Sequence, residues 1–226
     1  MKTKLEKKES KSIKRHQDIL AYLVGALADG SIYYNPQHYI YRVTFYQKSK
    51  QYLTHCIEPC VFQLFDKQGH YYHDNRKDVY YYEVTSKAVY FEMKEAIGSF
   101  KDKNQRSIPL WIINGDKAVR HAFIRGFFDA DGFYYIKPDN SDYRVRFGQA
   151  DQLVLENLRD ILSQEGFKCS DVLGPYQLKP NAKPYYELHV YGRNQMLRFQ
   201  DLIRPCHPNK QLDALAMKKI TKKTNL

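Results

Sequence analysis

Asp29 and Asp131 each stand in an Ala-Asp-Gly triplet, 102 residues apart, and each closes an apolar run. A helix ending there already carries partial negative charge at its C-terminus, so a carboxylate costs about 0.3–1 kcal/mol and a cation reverses the sign. If the two helices pack about a pseudo-twofold axis, the small residues Ala21, Gly25, Ala28, Gly126 and Ala130 permit close approach and deliver both carboxylates to one place. Two adjacent carboxylates ionise together comfortably only around a divalent ion. Oxygen-only ligands select Mg²⁺ over zinc or copper, with Mn²⁺ or Ca²⁺ able to take the same site. Such an ion suits phosphodiester hydrolysis, because it activates water and stabilises the leaving oxygen. Taken singly, Asp-Gly is only a helix-to-strand turn, and duplication after a buried helix is what lowers that reading. An EF-hand is excluded, since Tyr134 and Asn140 stand where its loop needs Gly and Glu.

The elements around the acids repeat as well. Tyr41-Arg42-Val43-Thr44-Phe45-Tyr46-Gln47 and Tyr143-Arg144-Val145-Arg146-Phe147-Gly148-Gln149 agree at five of seven positions with the same 102-residue displacement. Tyr81-Tyr82-Glu83 and Tyr185-Tyr186-Glu187 add a third match at 104. Asp18 is a plausible N-cap for a buried helix that stops at Gly30. The alternation of Val43 and Phe45 with Arg42, Thr44 and Tyr46 marks a strand with one apolar face. Helices are expected at about 49–66 and 151–165, second strand pairs at about 70–85 and 172–191, and closing helices at about 87–98 and 193–203. The fold class is therefore α+β, two αββαββα repeats over 16–100 and 118–215, with a linker over 101–117 and basic tails over 1–15 and 216–226.

The 226 residues carry a net charge of +11, but the first fifteen contribute +5 and the last eleven +4. The body is nearly neutral, so a polyanion must meet charge segregated onto one face. Nineteen of the 20 tyrosines fall in the strand-rich segments, and residues 33–50 carry Arg42, Lys48 and Lys50 with no acid. Strand propensity explains the tyrosines but not the basic bias. A sheet face offering Arg, Lys, Gln and Tyr suits DNA, cations to phosphates and Arg or Gln to base edges. The cysteines Cys56, Cys60, Cys169 and Cys206 read as free thiols in a reducing compartment, without a signal peptide ahead of them. The longest uncharged run, Ile19 to Ala28, is too short to span a membrane.

Tyr22-Leu23-Val24-Gly25-Ala26-Leu27-Ala28-Asp29-Gly30 and Phe123-Ile124-Arg125-Gly126-Phe127-Phe128-Asp129-Ala130-Asp131-Gly132 resemble the two signature helices of a single-chain LAGLIDADG homing endonuclease. The first motif departs by one residue between its glycines. The resemblance implies saddle-shaped antiparallel sheets straddling the major groove of double-stranded DNA, a pseudo-twofold monomer, and double-strand cleavage with short 3′ overhangs at a long asymmetric site. It implies Mg²⁺ held by Asp29 and Asp131 with the carbonyls of Ala28 and Ala130. Gln47 and Gln149 correspond to positions that organise water near the scissile phosphates, and Lys87 and Arg193 to the active-site basic position. Arg42, Thr44, Tyr46, Lys48, Arg144 and Arg146 are the expected DNA contacts. The rival is a non-cleaving module on the same fold, an intron-RNA maturase or a DNA-binding regulator, and intron RNA is a possible further partner of the enzyme.

Overall fold

A computed structural model describes residues 4–101, 106–139, 141–177 and 184–211, with side chains from Arg15 onward. The first repeat contains α1 (Lys4–Ala26), β1 (Gly30–Asn35), β2 (Ile40–Gln47), α2 (residues 50–65), β3 (His70–Asp74), β4 (Val79–Thr85) and α3 (Lys87–Ile97). After the short helix α4 (Leu110–Ile113), the second contains α5 (Lys117–Asp131), β5 (Gly132–Ile136), β6 (Tyr143–Gln149), α6 (Gln152–Gln164), β7 (Leu173–Tyr176), β8 (Tyr185–Tyr191) and α7 (Arg193–Ile203). Each repeat builds an antiparallel four-stranded sheet, in the orders β1-β2-β4-β3 and β5-β6-β8-β7. Val43, Phe45, Val84 and Tyr82 of one sheet, and Val145, Phe147, Leu188 and Val190 of the other, point into the core. The alternation therefore holds, and the opposite faces carry the polar set. No helix among the described residues is long and apolar enough to cross a membrane.

Two expectations change. Helix α1 begins at Lys4 rather than at Asp18, because the Lys- and Glu-rich stretch ahead of Asp18 favours helix and contains no Gly or Pro to stop it. The 104-residue match is also two residues out of structural register. Tyr82 pairs with Phe45, and Leu188 pairs with Phe147, so β4 and β8 correspond at 106. A shift of two keeps every side chain on its own face, and this is why the sequence match looked sound. Glu83 thus corresponds to His189, and Tyr81 to Glu187.

Helices α1 and α5 form the seam between the halves. A Cβ at Gly25 would overlap the Phe123 carbonyl and stand 2.7 Å from Phe127 N, and one at Gly126 would overlap the Tyr22 carbonyl. Leu23, Val24, Leu27, Phe123, Ile124 and Phe127 are buried along this seam, each worth about 1.5–3 kcal/mol. The shortened first motif is accommodated by a change of winding. Leu27–Asp29 form a 3₁₀ turn, whereas α5 stays α-helical through Asp131. At about 2.0 Å per 3₁₀ residue against 1.5 Å per α residue, the four steps from Gly25 to Asp29 and the five from Gly126 to Asp131 both climb about 7.5 Å. The acids end at equal height, with azimuths differing by roughly 40°.

Candidate active site at the paired helix ends

The two carboxylates feel one another. Burial, followed by repulsion from Asp131, pushes Asp29 up to about 7 against the pull of Lys101 and Lys210. Burial also raises Asp131, opposed by the same two lysines and by a 2.6 Å hydrogen bond that Gln149 Nε2 donates to its Oδ2. Lys101 moves the other way. Burial outweighs its attraction to Asp131 and Asp29, and its ammonium falls to about 8. Desolvation thus dominates on both signs of charge, which is the condition of a partly dry site.

Each lysine arrives on irregular chain just past the last helix of its own repeat and caps the end of that repeat's motif helix. Lys101 Nζ donates to the Ala28 carbonyl at 3.0 Å. Lys210 Nζ donates to the Asp129 carbonyl at 2.7 Å and to that of Phe128. These are C-terminal carbonyls with no partner inside the helix, at the negative end of its dipole. The glutamines are less symmetric. Gln149 serves the acid of its own half, while Gln47 Nε2 crosses to the Ala130 carbonyl at 3.1 Å. A groove of about 590 Å³ opens beside Asp29, lined by Tyr46, Gln47, Lys48, Lys77 and Ala130 among others.

Of the residues singled out from the sequence, Asp29, Asp131, Gln47, Gln149, Ala28 and Ala130 are brought together. Lys87 and Arg193 are not. They open α3 and α7 and lie over the rings of Tyr41 and Tyr143, 6.0 and 5.7 Å from the centroids. Those tyrosines sit four residues along β2 and β6 from Phe45 and Phe147, the partners of Gly30 and Gly132, so roughly 14 Å of strand separates them from the acids' level. Arg42, Thr44, Tyr46, Arg144 and Arg146 occupy the outward sheet faces, opposite Tyr33, Ser31, Tyr81, Tyr135 and Phe133 respectively. Lys48 follows β2 beside the groove.

The donor set at the helix ends is oxygen only. Among the described residues no three of His, Cys, Asp and Glu converge, so a zinc-type site is absent there. Two mutually repelling carboxylates flanked by main-chain carbonyls fit a hard divalent cation.

Residues 118–204 match the sequence profile of the LAGLIDADG-like domain. The chain belongs to the LAGLIDADG family. It is 24% identical to the homing endonuclease I-ApeI of Aeropyrum pernix over 196 residues, 84% of this chain and 83% of that protein. Its fold is that of the homing endonuclease I-DmoI, with a TM-score of 0.62 and 21% identity over 84% of this chain and 97% of that one. The LAGLIDADG homing endonuclease I-LtrWI is more distant, at a TM-score of 0.52 and 12% identity over 92% of both chains. The profile match begins at α5, so the first LAGLIDADG motif, with its shortened spacing, lies outside the matched residues.

Sequence reasoning missed three residues of this LAGLIDADG site, Lys101, Lys210 and Asp129. Asp129 is fully buried. Its carboxylate accepts from Cys206 N at 3.1 Å, His207 N at 3.2 Å, Cys206 Sγ at 2.9 Å and the Tyr22 hydroxyl at 3.2 Å. Tyr52 stacks on His207 at 4.9 Å. This network binds the segment after α7 across the seam, three residues before Lys210. One signal was available: a helix C-terminus calls for a cation, and both lysines follow closing helices. The path of the irregular chain that delivers them was not.

Proposed function

We propose that the chain is a site-specific double-strand DNA endonuclease of the homing type, using Mg²⁺ or a related divalent ion at a long asymmetric site. The observation that carries this reading is the pair of mutually repelling acids, Asp29 and Asp131, at equal height on the two motif helices. The relatives support it. I-ApeI is named a homing endonuclease, and I-DmoI has been crystallised with its target DNA in the presence of Mg, Mn and Ca. The halves present different outward residues, Thr44 and Tyr46 against Arg146 and Gly148, so the two half-sites differ.

In this reading Asp29 and Asp131, with the Ala28 and Ala130 carbonyls, hold the ion, which supplies Lewis acidity toward the scissile phosphates. Gln149 fixes the orientation of Asp131, and Gln47 orders the opposite side of the site. Lys101 and Lys210 place positive charge where negative charge grows on a phosphate, in surroundings dry enough for it to count. Lys87 and Arg193 contact the backbone farther out. Arg42, Thr44, Tyr46, Lys48, Arg144 and Arg146 meet DNA across the sheets. Retention of both acids disfavours a non-cleaving regulator or maturase. Incubation with a randomised duplex library and Mg²⁺, followed by sequencing of the cut ends, tests the proposal. A single asymmetric cut site is expected, and intact DNA under all divalent ions contradicts it.

A further inference from the structure

The outward face of the second sheet carries alternating rings and guanidiniums. Phe133 and Tyr135 of β5 lie opposite Arg146 and Arg144 of β6, which lie opposite His189 and Tyr191 of β8. The Arg144 guanidinium is 5.7 Å from the Tyr135 ring centre and 5.1 Å from that of Tyr191. That of Arg146 is 4.9 Å from Phe133 and 5.6 Å from Tyr135. Each arginine turns Nη2 to its own carboxylate, Arg144 to Asp142 and Arg146 to Glu187. Glu187 is held from its other side by His189 Nε2 at 2.9 Å. The side chains remain 31% and 23% exposed. One carboxylate takes at most two of a guanidinium's five N–H donors, and the Nε of each arginine is buried without a hydrogen bond.

These are poor phosphate grips. Each couple is neutral as a unit, and its carboxylate repels a phosphate, while the flanking rings remove the swing that backbone contacts use. A fixed fork of donors beside an acceptor is instead complementary to one base-pair edge. In the major groove a G·C pair presents the acceptors N7 and O6, then the cytosine N4 donor. Arg144 and Arg146 are two residues apart on one strand face, about 6.8 Å, which equals two base-pair steps of about 3.4 Å. The first sheet has a single such couple, Arg42 with Glu83 at 2.9 Å, and Thr44 stands where the second sheet has Arg146.

We propose that Arg144–Asp142 and Arg146–Glu187 read two G·C pairs, separated by one base pair, in the half-site under the second sheet, with Phe133, Tyr135 and Tyr191 as positioning residues. This rests on the endonuclease reading above. The test is site selection from a randomised duplex library by the wild-type chain and by Arg146→Lys, Arg144→Lys and Glu187→Gln. Wild type should select G·C at two positions two steps apart, each by about 5- to 150-fold over other pairs. Arg146→Lys keeps the charge but loses the planar fork. It should erase the preference at one of these positions and spare the other, which also reports that the variant is folded. Glu187→Gln should weaken the preference at the same position as Arg146→Lys, and Arg144→Lys should act at the other. Selected sites without such a pair overturn the inference while leaving the endonuclease reading intact. So does an Arg146→Lys variant that binds all sequences more weakly with unchanged base preference, the behaviour of a phosphate contact. A wild-type chain that selects no site removes the endonuclease reading, and this inference with it.

Discussion

Replacing Gly126 with alanine puts a methyl group where the Tyr22 carbonyl of the facing helix now lies. On an isolated helix the change is favourable by about 0.8–1 kcal/mol. At the seam the new Cβ would also stand 2.9 Å from Ala26 N, whereas ordinary contact begins at 3.4 Å. The obstacle is buried backbone rather than a flexible side chain, so the two helices must part. Overpacking of this kind costs about 1–3 kcal/mol, and the backbone obstacle places the substitution at or above the upper end. The net loss of about 1–2 kcal/mol should lower Tm by roughly 2–8 °C in a chain of this size. The effect on cleavage should be larger. Gly126 lies five residues from Asp131 on the same helix, and a displacement of about 1 Å at a reacting centre costs about 100-fold in rate. Thermal unfolding by circular dichroism and single-turnover cleavage of the selected site measure the two effects. Gly148→Ala serves as control, since its Cβ meets nothing nearer than the Tyr186 carbonyl at 3.9 Å and Tm should hold. A Gly126→Ala protein that melts and cuts like the wild type would refute the claim that the close-packed seam sets the acids.

Asp29 gives a pH dependence of definite sign. Its folded pKa of about 7 lies above the ordinary 3.8, so its contribution to stability is complete below pH 4 and is lost as pH rises through 7. In EDTA, Asp29→Asn should therefore raise Tm relative to wild type at pH 8 and give no gain at pH 4, and Mg²⁺ should stabilise the wild type more at pH 8 than at pH 5.5. Thermal melts in those buffers decide it, and a lower Tm for Asp29→Asn at pH 8 runs against it. Asp129→Asn removes one of two acceptor oxygens facing four donors and should cost about 2–3 kcal/mol. Lys210→Met should leave Tm nearly unchanged while lowering the cleavage rate at saturating DNA about 10-fold or more. Equal effects of these two substitutions on Tm would show that Lys210 is structural.

Much of this arrangement was legible because short-range chemistry carried it. The duplicated Ala-Asp-Gly and the Val-x-Phe alternation each report a local demand, a helix end in one case and a two-faced strand in the other. The site's lysines were not legible, since Lys101 and Lys210 are placed by irregular chain whose course is fixed by distant contacts such as Asp129 with Cys206 and His207. The misread Tyr-Tyr-Glu match has a different origin. Strand periodicity is blind to a shift of two, so only the pairing of Leu188 with Phe147 reveals it. The one-residue deficit after Gly25 likewise needed structure, because the sequence does not announce a turn of 3₁₀ helix.

The central claim is that Asp29 and Asp131 act as one cleavage centre served by both halves. Its most direct measurement is the strand-resolved cutting of the selected duplex, in Mg²⁺, by wild type, Asp29→Asn and Asp131→Asn at matched DNA occupancy. Each single substitution should abolish double-strand cleavage while leaving the affinity for the duplex within a few-fold of wild type, because neither acid lies on the DNA-reading sheet faces. Full double-strand cleavage by both variants would contradict the claim.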